Sequence, residues 1–166
     1  MKIRLDEHIS PRVAGALTAF IENRRGYEVS HVRDAHPVGA SDISWLRAFA
    51  AEGGSVIVSG DANILQRWPE LVAYTETGLI GFFPQSRWNQ SNGWTKAALL
   101  KVWWQSIVTK AQASRPGDTW RFPFQWTPSS EKFDLIRDPR VSGSQAQRTP
   151  GIVPAPLRHQ FRPRVT

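Results

Sequence analysis

Cysteine is absent from all 166 residues, which excludes disulfides, thiolate zinc sites and cysteine nucleophiles. No run of 18 apolar residues occurs, so no segment reads as a membrane-spanning helix. The opening MKIRLDEH is charged and carries no apolar signal region. A soluble, cytoplasmic protein with no membrane contact is expected. There is no internal repeat and no paired histidine, so a metal site built on imidazoles has no obvious source.

What the chain does contain is apolar and basic. Hydrophobic residues make up 40% of it, with 8 Trp and 8 Phe, enough for a packed core. The net charge of +7 favours an anionic partner, nucleic acid or an acidic protein, without choosing between them. That charge is uneven: residues 1–110 hold 12 Lys/Arg against 10 Asp/Glu, and residues 111–166 hold 9 against 4. From Ala113 the composition also shifts toward Pro, Ser, Gly, Gln and Arg. A globular domain over 1–112, a loosely attached aromatic-rich extension over 113–138 and a disordered basic tail over 139–166 are expected.

Strand and helix patterns alternate in the first part. KIRL (2–5) alternates Ile3 and Leu5, and Ser10-Pro11 then gives a helix-start signal. Val13, Ala16, Leu17, Phe20 and Ile21 follow at helical spacing. YEVSHV (27–32) reads as a strand, RDAHPVGAS as a loop and SDISWLRAFAAEGG as a capped helix ending at Gly53. SVIVSGD (55–61) is a continuous apolar strand, the pattern of a sheet covered on both faces. A short helix over 69–78, a strand over 79–83 and a long helix over 94–112 complete the series. In that last helix Trp103 and Trp104 read as core or dimer interface. The order predicts a three-layer α/β sandwich around a mostly parallel four-stranded sheet, with an irregular C-terminal extension. DTWRFPFQW (118–126) could add an edge strand, because Pro123 bars a central one.

Sites in such folds lie at the carboxyl ends of the strands. Asp6 follows the first strand, Asp61 follows the third, and Asp42 opens the helix that feeds the third. With Glu7 beside Asp6, three or four carboxylates converge on one edge. Neighbouring like charges disfavour each other, so the cluster needs a counter-charge. Oxygen ligands without Cys or paired His suit a hard ion, Mg²⁺ or Mn²⁺. Asp42 has a competing reading as a helix cap, with Ser41 just before it.

IRLDEHI, GYEVSHV and SDISWLRAFAAEGGSVIVSGDANIL together resemble the PIN-like domains, most closely the compact group of toxin ribonucleases, over roughly residues 2–110. The resemblance implies metal-dependent hydrolysis of RNA phosphodiester bonds, with Asp6, Asp42 and Asp61 as ligands and Ser59 in place of the family's Thr. Glu7 would orient or deprotonate the attacking water. It also implies an RNA substrate and a protein antitoxin, and a homodimer stays open. The chain departs from the pattern at His8, where the family commonly has Asn, and at Asn63, where a second acid is frequent; both are auxiliary candidates. Arg87 and Trp88, in PQSRWNQSNGW, are candidates for contact with single-stranded RNA, with a loop anchored on the core by Trp88 as the equal alternative.

Two other readings remain open on the sequence. One is a receiver-like signalling domain, which shares a parallel fold and acids after strands one and three; against it, no Thr or Ser closely follows strand four and no Lys follows a fifth strand. The other is a PIN-like module that binds RNA or protein without turnover.

Overall fold

The structure, a computed structural model, describes residues 1–21, 26–61 and 66–137. Strand β1 (Lys2–Leu5) is followed by helix α1 (Pro11–Ile21), β2 (Glu28–His31), the one-turn α2 (Val32–Ala35) and α3 (Asp42–Ala51). Then come β3 (Val56–Val58), α4 (Trp68–Thr77), β4 (Ile80–Pro84), a 3₁₀ turn (Ser86–Gln90) and α5 (Gly93–Gln112). Two short strands, β5 (Thr119–Phe122) and β6 (Asp134–Leu135), flank a second 3₁₀ turn. The expected tail over 139–166, like Asn63, lies outside the described residues.

The local signals explain the ends of these elements. Pro11 opens α1 with Ser10 accepting the Arg12 N–H on its hydroxyl. Asn92 accepts the Thr95 N–H at the start of α5. Gly78 closes α4 in the left-handed conformation, φ 67°, a backbone state in which a Cβ would be strained. The segment expected as a loop after β2 instead winds one turn, because Asp34 accepts the His31 N–H and His31 accepts the Arg33 N–H. Asp34 is thus a capping residue rather than a merely solvated one.

One sheet runs in the order β2-β1-β3-β4-β5-β6. The first five strands pair in parallel and β6 pairs antiparallel with β5. The α/β class and parallel sheet agree with expectation, but there are six strands rather than four. Both additional strands come from the aromatic-rich extension. Thr119–Phe122 pairs with Gly81–Pro84 on one side and with β6 on the other, so β5 is not an edge. Pro123 allows this because it falls one residue beyond the strand and has no ladder position to lose.

Side chains of the middle strands alternate between two apolar layers. Ile3, Leu5, Val56, Val58, Ile80 and Phe82 face a core closed by α1 and α5. Ile57 and Phe83 face the opposite core, with Trp45, Leu46 and Phe49 of α3 and Tyr74 of α4. This is the three-layer arrangement, and it explains the unbroken apolar run of β3. Arg4 is the buried exception on β1. It pairs with Glu52 at 2.9 Å, donates to Ser30 Oγ at 3.2 Å and lies 4.2 Å over the Phe49 ring. Trp103 and Trp104 are buried in the α5 layer, which makes them core.

The extension also supplies core. Phe133 is buried edge-on to Phe82 at 5.5 Å and to Trp103 at 5.3 Å between ring centroids. Phe133→Ala should therefore lower the stability of the whole domain by about 3–5 kcal/mol in urea unfolding, with one cooperative transition. An unchanged midpoint would mean that the extension is separable from the sheet.

Candidate functional site

The strand order places a topological switch point between β1 and β3, where successive connections leave in opposite directions and a crevice opens at the carboxyl ends. Asp6 and Asp61 stand at the exits of these two strands. The chain turns after β1 over residues 7–9 to reach α1, and residues 59–61 leave β3 at the same edge, so polar groups gather there rather than inside the layers.

Asp6 is the anchor of this edge. It is only 4% exposed. Its backbone N–H donates to Val58 O at 3.1 Å, which continues the β1–β3 ladder by one residue. One carboxylate oxygen, Oδ1, accepts the backbone N–H groups of His8 at 3.1 Å and Gly60 at 3.0 Å. The other, Oδ2, accepts the Ser59 hydroxyl and lies 3.4 Å from His8 Nδ1. Ser59 Oγ in turn accepts the Asp61 N–H at 3.0 Å. A hydroxyl at residue 59 thus couples the two acids through one oxygen.

Gly60 makes the close approach possible. A Cβ there would sit 2.9 Å from the His8 carbonyl oxygen, so a larger residue would push the two turns apart. On the other side, the buried His31 holds the turn from below: its Nε2 bonds Ile9 O at 2.7 Å while Nδ1 accepts the Arg33 N–H at 3.1 Å. That pattern makes His31 a neutral imidazole with its proton on Nε2.

Asp42 belongs to the same edge by a different route. Ser41 takes the capping position of α3, accepting the Ser44 N–H at 3.3 Å, which leaves the Asp42 carboxylate available for other partners. Oδ1 accepts the Trp45 indole N–H at 3.0 Å, and Oδ2 lies 3.8 Å from Arg67 Nη1. Arg67 Nη2 lies 3.5 Å from Asp61 Oδ2, and Nη1 lies 3.3 Å from Glu70 Oε1. A single guanidinium therefore joins Asp42, Asp61 and Glu70.

Two sequence expectations change here. The counter-charge that the acids require is present in the chain itself, as Arg67 and as His8, which lies 3.9 Å from Asp61 Oδ2 through Nε2. And the further acid joined to the cluster is Glu70 on α4, whereas Glu7 is half-buried on the Asp6 turn and acts on His8 only through its field. Neither Arg67 nor Glu70 stands in a recognisable motif. Their only sequence signal is an Arg and a Glu three residues apart at the start of a helix.

Of the remaining candidates, Trp88 is 2% exposed, with its ring edge-on to Phe122 at 5.8 Å. Of the two readings of Trp88, its burial agrees with the core anchor and not with stacking on RNA: the large apolar ring fills the layer between β4, β5 and α5. Arg87 on the same turn is exposed, 5.7 Å from the Phe124 ring centroid. Asn63 cannot be placed, being outside the described residues.

Chemically, the edge offers carboxylate oxygens on three strand or helix ends, held at fixed positions by backbone N–H groups and cations. Among the described residues no group of three or more His, Cys, Asp or Glu side chains stands arranged to hold a metal ion. The donor set nevertheless suits a hard divalent cation. Asp42 and Asp61 each turn one oxygen toward the same cation, the Arg67 guanidinium, at 3.8 and 3.5 Å.

A three-layer parallel α/β domain with buried and half-buried acids at its switch point is the class that fold and site define. The chain belongs to the PIN-like domain family: the family model described as a PIN like domain matches residues 1–86, from β1 through the end of β4. PIN domains are generally nucleases and usually use divalent metals. The matched part stops short of α5, β5 and β6, so the helix and strands that complete the sheet lie beyond it. No characterised protein and no solved structure matches the chain. Among the described residues no helix is long and apolar enough to cross a membrane.

His8 links this geometry to pH. Its hydrogen bond with Asp6 raises its pKa above the ordinary value near 6.5; partial burial opposes this, and the fields of Asp6, Asp61 and Glu7 add to it. A folded-state value above the unfolded one means that protonated His8 stabilises the fold fully below the unfolded pKa. That contribution fades as pH rises through the raised value. In metal-free protein, the stability gap between wild type and His8→Gln should be widest below about pH 6.5 and should close at higher pH. Thermal melts of both proteins across the range check this, and a gap that widens upward would refute it.

Proposed function

We propose that this protein is a divalent-metal-dependent endoribonuclease that hydrolyses RNA phosphodiester bonds, working as the toxin of a toxin–antitoxin pair. The observation that carries the catalytic part is the convergence of Asp42 and Asp61 on one cationic centre beside the buried Asp6, at the switch point of a PIN-like sheet. The toxin role rests on resemblance to the compact toxin ribonucleases. An acidic antitoxin is the partner that suits a chain of charge +7.

In this reading Asp6, Asp42 and Asp61 would hold Mg²⁺ or Mn²⁺. A bound ion of this kind supplies an activated water and neutralises charge on the transferring phosphate. The residues of the chain do the positioning. Asp6 is locked by the Gly60 and His8 N–H groups, so its carboxylate cannot swing away from the edge. Ser59 sets the backbone of Asp61 relative to it. Trp45 fixes the rotation of Asp42 by donating to one oxygen and leaving the other directed at the centre. Arg67 keeps the acids from repelling one another until a metal cation takes its place, which frees the guanidinium to meet a substrate phosphate. Protonated His8, between Asp6 and Asp61, is placed to donate to a leaving oxygen.

A receiver-like role loses support at the strand ends. β4 closes with Pro84 and is followed by Gln85, and β5 closes with Phe122 and is followed by Pro123. Neither position has the hydroxyl or lysine that aspartyl phosphorylation needs.

End-labelled single-stranded RNA incubated with purified, antitoxin-free protein tests the proposal. Internal cleavage is expected with Mg²⁺ or Mn²⁺ and none with EDTA. Asp61→Asn should cut at least as poorly as the roughly 10–100-fold loss typical of removing an outer-sphere partner of a metal. Cleavage by Asp61→Asn at the wild-type rate would show that this edge is not the nuclease centre.

A further inference from the structure

Two cavities run outward from the carboxylate edge along the seam of α1 and α5. The smaller, about 210 Å³, is bordered by His8, Ser10, Trp88 and Lys96. The larger, about 680 Å³, is bordered by Arg12, Phe20, Trp94 and Lys101. Ser10, Val13, Gly93 and Ala97 line both, so the two form one continuous groove. Its inner end is His8, the residue that touches Asp6 and lies 3.9 Å from Asp61.

The groove has an unusual composition for an open surface. Arg12, Lys96 and Lys101 line it, and among the described residues no Asp or Glu does. Its apolar lining includes the small side chains Ala16, Ala97 and Ala98 beside Val13 and Leu17. Two large rings stand at its outer end, Trp94 at 89% exposure and Phe20 at 65%. Burying either ring would be favourable by on the order of 1.5–3 kcal/mol, so leaving both in water requires a reason. Lys101 Nζ sits 3.7 Å over the Phe20 ring, which places a cation directly beside a stacking surface. The first turn of α5, which opens on the groove at Gly93, has no acid to oppose an incoming phosphate.

We propose that this α1–α5 groove is the track along which single-stranded RNA reaches the carboxylate site, with bases stacked on Trp94 and Phe20 and phosphates met by Arg12, Lys96 and Lys101. The proposal rests on the ribonuclease reading of that site. Alternating cations and exposed rings are the combination that single-stranded nucleic acid uses, because every base has a face to stack and every linkage has a charge. Stacking on exposed rings reads no base edge, which suits binding with little sequence preference. The exposed rings beside the cations and the continuity with the site favour RNA over an acidic protein segment as the occupant.

Anisotropy of a labelled single-stranded RNA 12-mer, measured in EDTA so that nothing is cut, tests the track apart from catalysis. Trp94→Ala should weaken binding roughly 5- to 150-fold, the range for loss of one stacked base. Lys96→Gln with Lys101→Gln should weaken it too, and should lower the salt slope of log K by about 0.7 for each phosphate contact removed. A duplex of the same sequence should bind less tightly, since its bases are already stacked. Wild-type affinity and salt slope in both variants would overturn the proposal. So would a wild-type protein that ignores RNA but binds polyglutamate, which would make the groove a docking face for an acidic protein. If the wild type fails to cut RNA with Mn²⁺ while Trp94→Ala still weakens binding, the nuclease reading fails and the track stands. If the wild type cuts and neither variant changes binding or cleavage, the track alone fails.

Discussion

A buried carboxylate governs this molecule. Taking an ionised Asp6 out of water costs several kcal/mol unless its lone pairs are met. They are met by two backbone N–H groups, a hydroxyl and an imidazole, all from residues 8, 59 and 60. Those partners belong to two separate turns, one after β1 and one after β3. Satisfying the charge therefore fixes the two turns against each other. It requires β1 and β3 to be neighbours, Gly60 to have no side chain, and residue 59 to carry a hydroxyl. Because Ser59 also receives the Asp61 N–H, the second acid is set by the same constraint.

Once these acids are held in place, the rest of the edge is a problem of charge balance. Arg67 comes from the start of α4 to meet Asp42, Asp61 and Glu70, and His8 bridges toward Asp6 and Asp61. Asp42 can take part because Ser41, not Asp42, caps α3. The cations are more exposed than the acids they serve: the Arg67 and His8 side chains are about half exposed, whereas Asp6 and Asp61 are nearly enclosed. A ligand arriving from solvent meets the movable cations first. That arrangement suits a site whose resting counter-charge gives way to a metal cation. The groove ending at His8 gives such a ligand a direction of approach.

Periodicity made the first four strands and the four longer helices legible, because alternation and 3.6-residue spacing are local properties, whereas the one-turn α2 has no period to read. It also exposed the carboxylate edge, since Asp6 and Asp61 stand at strand exits that any parallel sheet brings together. The additional strands were harder to read. Thr119–Phe122 is short, ends against a proline and owes its place to β4, some 40 residues back in the chain. Trp88 lies among polar residues with no apolar neighbour at strand or helix spacing, so its burial follows from the tertiary packing alone. Trp94, six residues later, is nearly fully exposed in a similar polar setting. Arg67 and Glu70 could not be assigned to the site by pattern, because the contacts that bring Arg67 to Asp42 and Asp61 are made only through space.

Anomalous diffraction from crystals equilibrated with Mn²⁺ tests the central claim most directly. One ordered Mn²⁺ site is expected, with oxygens of Asp42 and Asp61 among its ligands and the Arg67 guanidinium moved away from both. An edge with no anomalous peak at millimolar Mn²⁺, and with Arg67 still seated between the two acids, would contradict it.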